Sequence, residues 1–252
     1  MVNTFFLCIL FLLSSLLPDA LLDKFEIARD EKLVENTQKL WCQRGRERWE
    51  FEAKYEEMHG ELEGVFREMG YLDEVRPSGM EYEYALVHGA TLGRVQGRVA
   101  YLEELLRDGV QVREIVFLSG MRGLLDEERE VCGKEWESEM VKWVYERSGL
   151  PRNVPVVFIN APQKFVQEKL IRPTTSDTIV EWLKLNPRPG RCLAISNQPF
   201  VLYQDAVAKN ALPNNFVLET VGEKAGRWTV AVVLDSVAKT LYEEKKGQDV
   251  TR

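Results

Sequence analysis

Small, hydroxyl-bearing and basic residues gather where four apolar runs of this sequence end. They are His88, Gly89, Thr91, Arg94 and Arg98 from the end of "YALVHG" onward, Ser119, Gly120 and Arg122 in "FLSGMRG", Arg172, Thr174, Thr175 and Asp177 in the loop after "VPVVFIN", and Ser196, Asn197 and Gln198 in "AISNQPF". Guanidinium groups and free backbone amides are the donors that proteins use for phosphate and carboxylate groups. If the four ends meet, these residues predict a site for a small anionic or phosphorylated ligand.

The glycines at the first of these ends have two interpretations. Gly89, Gly93 and Gly97 follow one another at four-residue intervals, which matches neither the dinucleotide fingerprint G-x-G-x-x-G nor the phosphate loop G-x-x-x-x-G-K-[ST]. Gly89 suits a left-handed turn or a ligand contact, and Gly93 and Gly97 suit close packing of a helix.

The "TTSD" segment and two of the arginines also have a structural interpretation. Thr174 or Thr175 would cap the start of a helix, and Asp177 suits the positive end of its dipole. Arg122 and Arg172 would then be ordinary solvated side chains. The prediction of a site therefore depends on the four loops converging.

Residues that could carry catalysis are few. The two histidines, His59 and His88, do not have the spacing of a metal site, and no G-x-S-x-G nucleophile elbow occurs. His88 would act as a general acid or base beside Ser119 or Asp177, or would be a hydrogen-bonded structural histidine. The sequence identifies no nucleophile, metal or cofactor, and it leaves open whether the protein is an enzyme.

Strand-like and helix-like stretches alternate after a turn at "RPSG". The strand-like runs are "YALVHG", "EIVFLSG", "VPVVFIN", "RCLAISN", "NFVLETVG" and "WTVAVVLD". The helical stretches are Gly93–Arg107, Glu135–Ser148, Thr175–Leu185, Tyr203–Ala211 and a final Val237–Glu244. Continuous apolar runs are typical of strands covered on both faces, and alternation with helices favours a parallel sheet.

We therefore predict an α/β fold for residues 80–246. It would be a three-layer, Rossmann-like domain with a mostly parallel sheet of five to six strands, in which one of the last two strands pairs antiparallel at an edge. In such sheets ligands bind beyond the carboxyl ends of the strands. A helical extension at residues 23–75, broken near Gly45 or Gly60, would pack on this domain or serve as an arm that binds a partner.

The amino terminus and the composition bear on location and partners. "TFFLCILFLLSSLL" (Thr4–Leu17) has the length of a secretory h-region, so residues 1–20 would be a signal peptide or membrane anchor, with a cleavage point after Ala20. This predicts export to the periplasm or cell envelope; the alternative is a buried first helix of a cytoplasmic protein. The formal charge of -7 argues against binding of nucleic acid.

The series of motifs resembles the SanA/YdcF/ElyC-like bacterial envelope family. "VHGATLGRVQGR" looks like its first strand and following helix, with Arg98 or Arg94 as the helical arginine, and "FLSGMRG" looks like its Ser-Gly strand end. The resemblance also places Glu139 on the next helix, likens "TTSDT" to the Thr-x-Glu-Asn helix start, and likens Ser196 to the family's Thr-Ser strand end. It implies a Rossmann-like domain at the cell envelope, in a family mostly without assigned chemistry. Where the family usually carries a His and then Arg-Ala, this chain reads "NQPFVLYQDA".

Two functions from different classes follow. In the first, an envelope-associated α/β domain binds a small anionic or phosphorylated ligand, through Arg98, Arg122 and Arg172, and either modifies it or only binds it. Asp177 and Glu139 would accept hydrogen bonds from hydroxyl groups of the ligand. In the second, the protein is a non-catalytic scaffold that docks a partner protein or a membrane-bound complex through the extension, with the aromatic residues Trp41, Trp49 and Tyr55.

Overall fold

The computed structural model describes residues 17–43, 45–47, 50–166 and 168–250. The predicted apolar block therefore lies outside the described residues except for Leu17. Within the described ranges, no helix combines the length and the apolar character that a membrane crossing requires.

The helices and strands follow one another along the chain as α1 (Asp19–Lys24), α2 (Leu33–Trp41), a 3-10 turn (Glu56–Met58), α3 (His59–Glu68), β1 (Glu81–His88), α4 (Leu92–Arg107), β2 (Gln111–Gly120), α5 (Asp126–Cys132), α6 (Glu137–Arg147), β3 (Val156–Ala161), β4 (Lys164–Val166), β5 (Lys169–Ile171), α7 (Thr175–Leu183), β6 (Arg191–Asn197), α8 (Val201–Ala211), β7 (Val217–Glu223) and α9 (Val230–Val250).

A five-stranded sheet with the order β3-β2-β1-β6-β7 confirms the predicted fold. All of its neighbouring strands pair in parallel. Successive residues of β1 show why the apolar runs are continuous, because Ala85 and Val87 belong to one core cluster while Tyr84 and Leu86 belong to another. Side chains on a strand point alternately to opposite faces, so both faces of this sheet are covered.

Helices cover the two faces. Val95 and Val99 of α4 and Met140 of α6 belong to the cluster on one face, and Ile179 and Trp182 of α7 belong to the cluster on the other. The result is the three-layer, Rossmann-like arrangement that the alternating pattern predicts.

The last apolar run differs from its prediction. "WTVAVVLD" is the start of α9 and not a strand, and β7 pairs in parallel with β6, so the predicted antiparallel edge strand is wrong. The apolar run fits a strand and a buried helix equally well from its composition. The structure buries Val230, Val233, Leu234, Val237 and Leu241, which is the three- and four-residue spacing of one helix face.

The chain divides into two compact units. The first comprises the residues up to Asp73, Gln198–Ala206 and Lys224–Arg252, and the second, which holds the sheet, comprises Glu74–Asn197 and Val207–Glu223. In the first unit, α9 shares a core with the amino-terminal helices. The predicted continuous domain 80–246 therefore differs from the second unit at Gln198–Ala206 and from Lys224 onward.

The helices of the amino-terminal region follow the prediction in part. The interruption lies between α2 and α3, where Gly45 has a φ of 77° in the left-handed region, whereas Gly60 lies inside α3. Trp41 is 2% exposed and packs edge-on against Phe25, with the ring centroids 5.3 Å apart. Trp41 is thus a core residue of its own unit, while Trp49 lies outside the described residues.

Candidate functional site

The sheet has a topological switch point between β1 and β6. The chain proceeds from β1 to β2 and β3 on one side of β1, and then places β6 and β7 on its other side. The carboxyl ends of the five strands form one edge, with His88 at the end of β1, Ser119 and Gly120 at the end of β2, and Asn197 at the end of β6. Ligands of open α/β sheets bind in the crevice at such a point.

Arg98 connects the two strands that flank the switch point. This residue of α4 is 2% exposed, and its Nη1 donates to the backbone oxygens of His88 at 2.7 Å and Gly89 at 2.9 Å. Its Nε donates to Asn197 Oδ1 at 3.0 Å. The guanidinium therefore holds the end of β1 to the end of β6.

Arg122 and Glu128 form a buried ion pair beside this edge. The Arg122 Nη1 lies 2.8 Å from Glu128 Oε2, and its Nη2 donates to the backbone oxygen of Ala90 at 3.0 Å. Glu128 also accepts from the backbone N–H groups of Leu92 at 2.7 Å and Leu125 at 2.8 Å. Burial by itself raises the pKa of Glu128, but Arg122 and the two amides outweigh it and lower the pKa.

Glu137 is a buried carboxylate whose pKa is influenced by three of the predicted arginines. It opens α6, is 8% exposed, and accepts from the Gly120 N–H at 3.3 Å. Burial raises the pKa of Glu137, although the positive charges of Arg122, Arg172 and Arg98 act in the opposite direction. The Arg122 Nε lies 3.8 Å from Glu137 Oε1. We call Arg98, Arg122 and Arg172 the arginine cluster.

The predicted acid Glu139 lies elsewhere. Its side chain is exposed and accepts from the backbone N–H groups of Glu135 at 3.2 Å and Trp136 at 3.1 Å, so it caps α6. The sequence reads Glu-Ser-Glu at this helix start, and Glu137, not Glu139, is the carboxylate that lies beside Arg122 and the end of β2. The available signal was position, because Glu137 and buried Met140 lie three residues apart on one helix face.

Gly89 is required because other atoms approach its backbone closely. The interpretation of Gly89 as a left-handed turn is wrong. Its φ is outside the left-handed region, and a Cβ at this position would lie 2.7 Å from Glu137 Oε1 and 2.8 Å from the Leu118 backbone oxygen. Gly97 likewise faces Glu223 Oε1, which would be 2.5 Å from a Cβ. At Gly93 no described atom other than those of its chain neighbours and its own helix backbone lies within 4 Å of that position, so its predicted role in close helix packing is wrong.

His88 is buried without the hydrogen bonds that either interpretation expected. It is 1% exposed, and neither ring nitrogen has a hydrogen-bond partner among the described residues. Burial, assisted by the charge of Arg98, lowers the pKa of His88 to about 3. Ser119 Oγ instead donates to the Ile159 backbone oxygen at 2.5 Å. His88 is therefore neutral at physiological pH and is not paired with Ser119.

The "TTSD" segment forms the predicted helix cap. Thr174 is the N-cap of α7, its N–H donates to Asp177 Oδ2 at 2.9 Å, and the Asp177 N–H donates to Thr174 Oγ1 at 3.3 Å. Asp177 also pairs with Lys164. Burial raises the pKa of Asp177, but these partners together lower it. Thr175 is the first residue of the helix and not its cap.

The remaining predicted residues divide between the two units. Thr91 precedes α4 and Arg94 lies in its first turn, both partly buried, and Ser196 is buried at the end of β6. Gln198 belongs to the other compact unit, where its Nε2 donates to the backbone oxygens of Gly70 and Asp73, each at 2.8 Å. Among the described residues, no three His, Cys, Asp or Glu side chains are grouped as metal ligands.

The fold and the site together define a doubly wound α/β protein with an arginine cluster at the carboxyl edge of its sheet. No protein-family model matches the chain. Uncharacterized proteins of Mycobacterium bovis and of two strains of Mycobacterium tuberculosis are each 28% identical to it, over a 221-residue alignment that covers 71% of this chain and 61% of theirs. The chain thus spans about three fifths of the length of these relatives. No solved structure matches.

Proposed function

We propose that this protein binds a small anionic or phosphorylated ligand at the carboxyl edge of its sheet, beside the switch point between β1 and β6. The observation that carries the proposal is the burial of two arginines at this edge, where Arg98 is hydrogen bonded to the ends of β1 and β6 and the Arg122 Nε lies 3.8 Å from Glu137 Oε1. Arg122 lies beside two buried carboxylates, Glu128 and Glu137, and the positive charges of Arg98 and Arg172 also act on Glu137, so this edge concentrates positive charge in a chain whose formal charge is -7. Such a concentration of guanidinium groups favours an anion.

The members of the cluster have different roles in this proposal. Arg98 and Arg122 are buried and hydrogen bonded to backbone oxygens, so they position the edge and supply charge. Arg172 is exposed just ahead of the α7 cap and contacts the ligand directly. Its planar fork suits two oxygens of a phosphate or carboxylate.

The proposal is for binding and not for a reaction. Ser119 Oγ donates to Ile159 and not to His88, and the pKa of about 3 makes His88 a weak base. These groups therefore do not form an activated nucleophile and base. A location at the cell envelope is also part of the proposal, and its support is the apolar block Thr4–Leu17 together with the resemblance to the envelope family.

The described residues give the scaffold alternative less support. Trp41, one of its three aromatic anchors, is enclosed by the core of its own unit, and the partly buried Tyr55 packs edge-on against Phe25 with the ring centroids 5.1 Å apart. A docking surface needs its aromatic anchors accessible. We therefore favour the anion-binding function.

Calorimetric titration with inorganic phosphate and a nucleotide panel tests the proposal. Arg172→Ala is expected to weaken binding at least about tenfold, because a hydrogen bond to a charged group contributes about 1.5–3 kcal/mol. Arg98→Ala is less suitable, since it also removes the bonds to the His88 and Gly89 oxygens.

Arg113→Ala is the matched control. Its side chain is 83% exposed and lies near the amino end of β2, at the opposite edge of the sheet. Equal losses of affinity in the two variants, or no binding of any panel member to the wild-type protein, would rule the proposal out.

A further inference from the structure

A small hairpin in the second unit carries an exposed apolar face. Strands β4 and β5 pair antiparallel, with Phe165 opposite Leu170. Phe165 is 74% exposed and Leu170 58%, and their neighbours Val166 and Ile171 are 46% and 43% exposed. A two-stranded hairpin is marginally stable alone, and adjacent exposed apolar side chains commonly mark a binding surface.

The base of the hairpin is connected to the proposed anion site. Lys164, at the start of β4, pairs with Asp177 in the α7 cap. Ile171, at the end of β5, is followed directly by Arg172 of the arginine cluster. The Pro173 ring lies against Gly120, where a Cβ would collide with it. The apolar face and the cluster therefore share one edge of the unit.

We infer that the ligand of this site is an amphiphile, with its anionic group at the arginine cluster and its alkyl chain on the hairpin face formed by Phe165 and Leu170. This inference rests on the proposed function and adds the class of the ligand. The order of charged and apolar residues at the base of the hairpin supports it. The positive Arg172 follows the apolar pair closely in the chain, and in an amphiphile the anionic group is likewise adjacent to the alkyl chain. The shared chemistry is an alkyl chain with a terminal phosphate or carboxylate.

The size of the apolar face argues against two other occupants, a bilayer and a second copy of the chain. The face consists of the cross-strand pair Phe165 and Leu170, because Val166 and Ile171 point to the other side of the hairpin. Two side chains provide far less area than the roughly 1,200 Å² that a stable protein interface buries. A single alkyl chain matches a surface of this size.

The test compares n-butyl phosphate with n-octyl phosphate, both below the micelle concentration, by calorimetry on the full chain. We expect the octyl compound to bind on the order of 10- to 100-fold more tightly, because four more methylenes leave water in part. The Phe165→Ser/Leu170→Ser variant is expected to lose this gain and to keep the affinity for butyl phosphate. Octanoate against butyrate then distinguishes a carboxylate head from a phosphate head.

Val180→Ser/Leu185→Ser is the control. These side chains are 46% and 60% exposed in the same unit but lie outside the hairpin. The control is expected to keep the full gain from chain length, and amide exchange of β1 and β2 checks that both variants remain folded.

The outcomes separate the inference from the proposed function. Equal affinity for the two alkyl phosphates, or a gain that survives in the hairpin variant, overturns the amphiphile and leaves the anion site standing. Binding of neither compound, with none of inorganic phosphate, overturns both. Hairpin-dependent sedimentation with phosphatidylglycerol vesicles, or a hairpin-dependent dimer in ultracentrifugation, also overturns the inference by assigning the face to a bilayer or to a second copy.

Discussion

At the scale of single residues, the pair formed by Arg122 and Glu128 stabilises the edge of the sheet only while both charges are present. Their side chains are 7% and 6% exposed. Each side chain has lost most of its hydration. Their mutual ion pair and hydrogen bonds to nearby backbone groups compensate for that loss. Removal of one partner leaves the other as an uncompensated buried charge.

Glu128→Ala is therefore expected to lower the free energy of unfolding by about 3–5 kcal/mol. The N–H groups of Leu92 and Leu125 would lose their acceptor at the same time. Urea denaturation measures this change. Asp126→Ala is the control on the same helix, since its side chain is 84% exposed and its pair with Arg129 contributes less than about 1 kcal/mol. Similar losses in the two variants would contradict the prediction.

His88 should make the folded state sensitive to acid. Burial and Arg98 lower its pKa from 6.5 to about 3, so the unfolded chain binds a proton in this interval that the folded chain does not. The contribution of neutral His88 to the free energy of unfolding is therefore at its maximum above pH 6.5, and it decreases as the pH falls toward 3. One such proton changes the free energy of unfolding by about 1.4 kcal/mol per pH unit.

His88→Phe removes the titrating group from the core. We expect the free energy of unfolding of the variant to fall less steeply than that of the wild-type protein between about pH 6.5 and about pH 4. Urea titrations at half-unit steps give both curves. Contributions of Glu137 and Asp177 are present in each protein and cancel in the difference. Parallel curves would show that His88 is already protonated, or solvated, in the folded state.

At the scale of elements, close contacts with the backbone decide which glycines are required in the segment from the end of β1 to the start of α4. At Gly89 the Glu137 carboxylate and the Leu118 oxygen approach the backbone closely, whereas at Gly93 no described atom beyond its chain neighbours and its own helix backbone lies within 4 Å of the Cβ position. Two glycines four residues apart in the sequence thus have opposite tolerance for a side chain. The four-residue spacing is not itself a motif.

Gly89→Ala is expected to destabilise the protein by about 1–3 kcal/mol, because the added methyl must displace backbone as well as a side chain. Gly93→Ala is expected to stabilise it by about 0.4–1 kcal/mol, because alanine restricts the unfolded chain without strain in α4. Thermal and urea denaturation measure both. A stabilising Gly89→Ala would mean that the Glu137 approach is loose.

At the scale of the whole molecule, the alternation of strands and helices was enough to predict the parallel sheet, and with it the edge at which its strands end. Each run from "YALVHG" to "NFVLETVG" is a strand because alternate residues face two buried layers. The same reasoning fails for "WTVAVVLD", since a helix buried on one face also begins with a dense apolar run. The partners of that helix lie some 200 residues away in the chain, as the bond from Gln38 to Ala238 shows.

The position of the candidate residues at strand ends was predictable from the sequence, but their contacts were not. Hydroxyl and guanidinium groups at strand ends identified the edge, because parallel strands bring their carboxyl ends together. Glu128 and Glu137 were missed because acidic residues in the first turn of a helix are ordinary. Only the tertiary contacts with Arg122 distinguish them from exposed neighbours such as Asp126 and Glu139.

The place of α9 in the first unit leads to a prediction about truncation. Its residues Val233, Leu234, Val237 and Leu241 share a core with Leu33 and Trp41. Each buried aliphatic side chain contributes about 1.5–3 kcal/mol, and the sum over this face is comparable to the whole stability of a typical domain.

A chain that ends at Thr229 is therefore expected to lose the folded structure of the first unit. Hydrogen exchange should show loss of amide protection in α2 and α3, while β1, β2 and β6, which have their own core, retain theirs. A chain that ends at Gly247 keeps this buried face and serves as the control. Protected amides in α2 and α3 of the shorter chain would mean that the amino-terminal helices form a core without α9, and the limits predicted at residues 23–75 would then describe an independent domain.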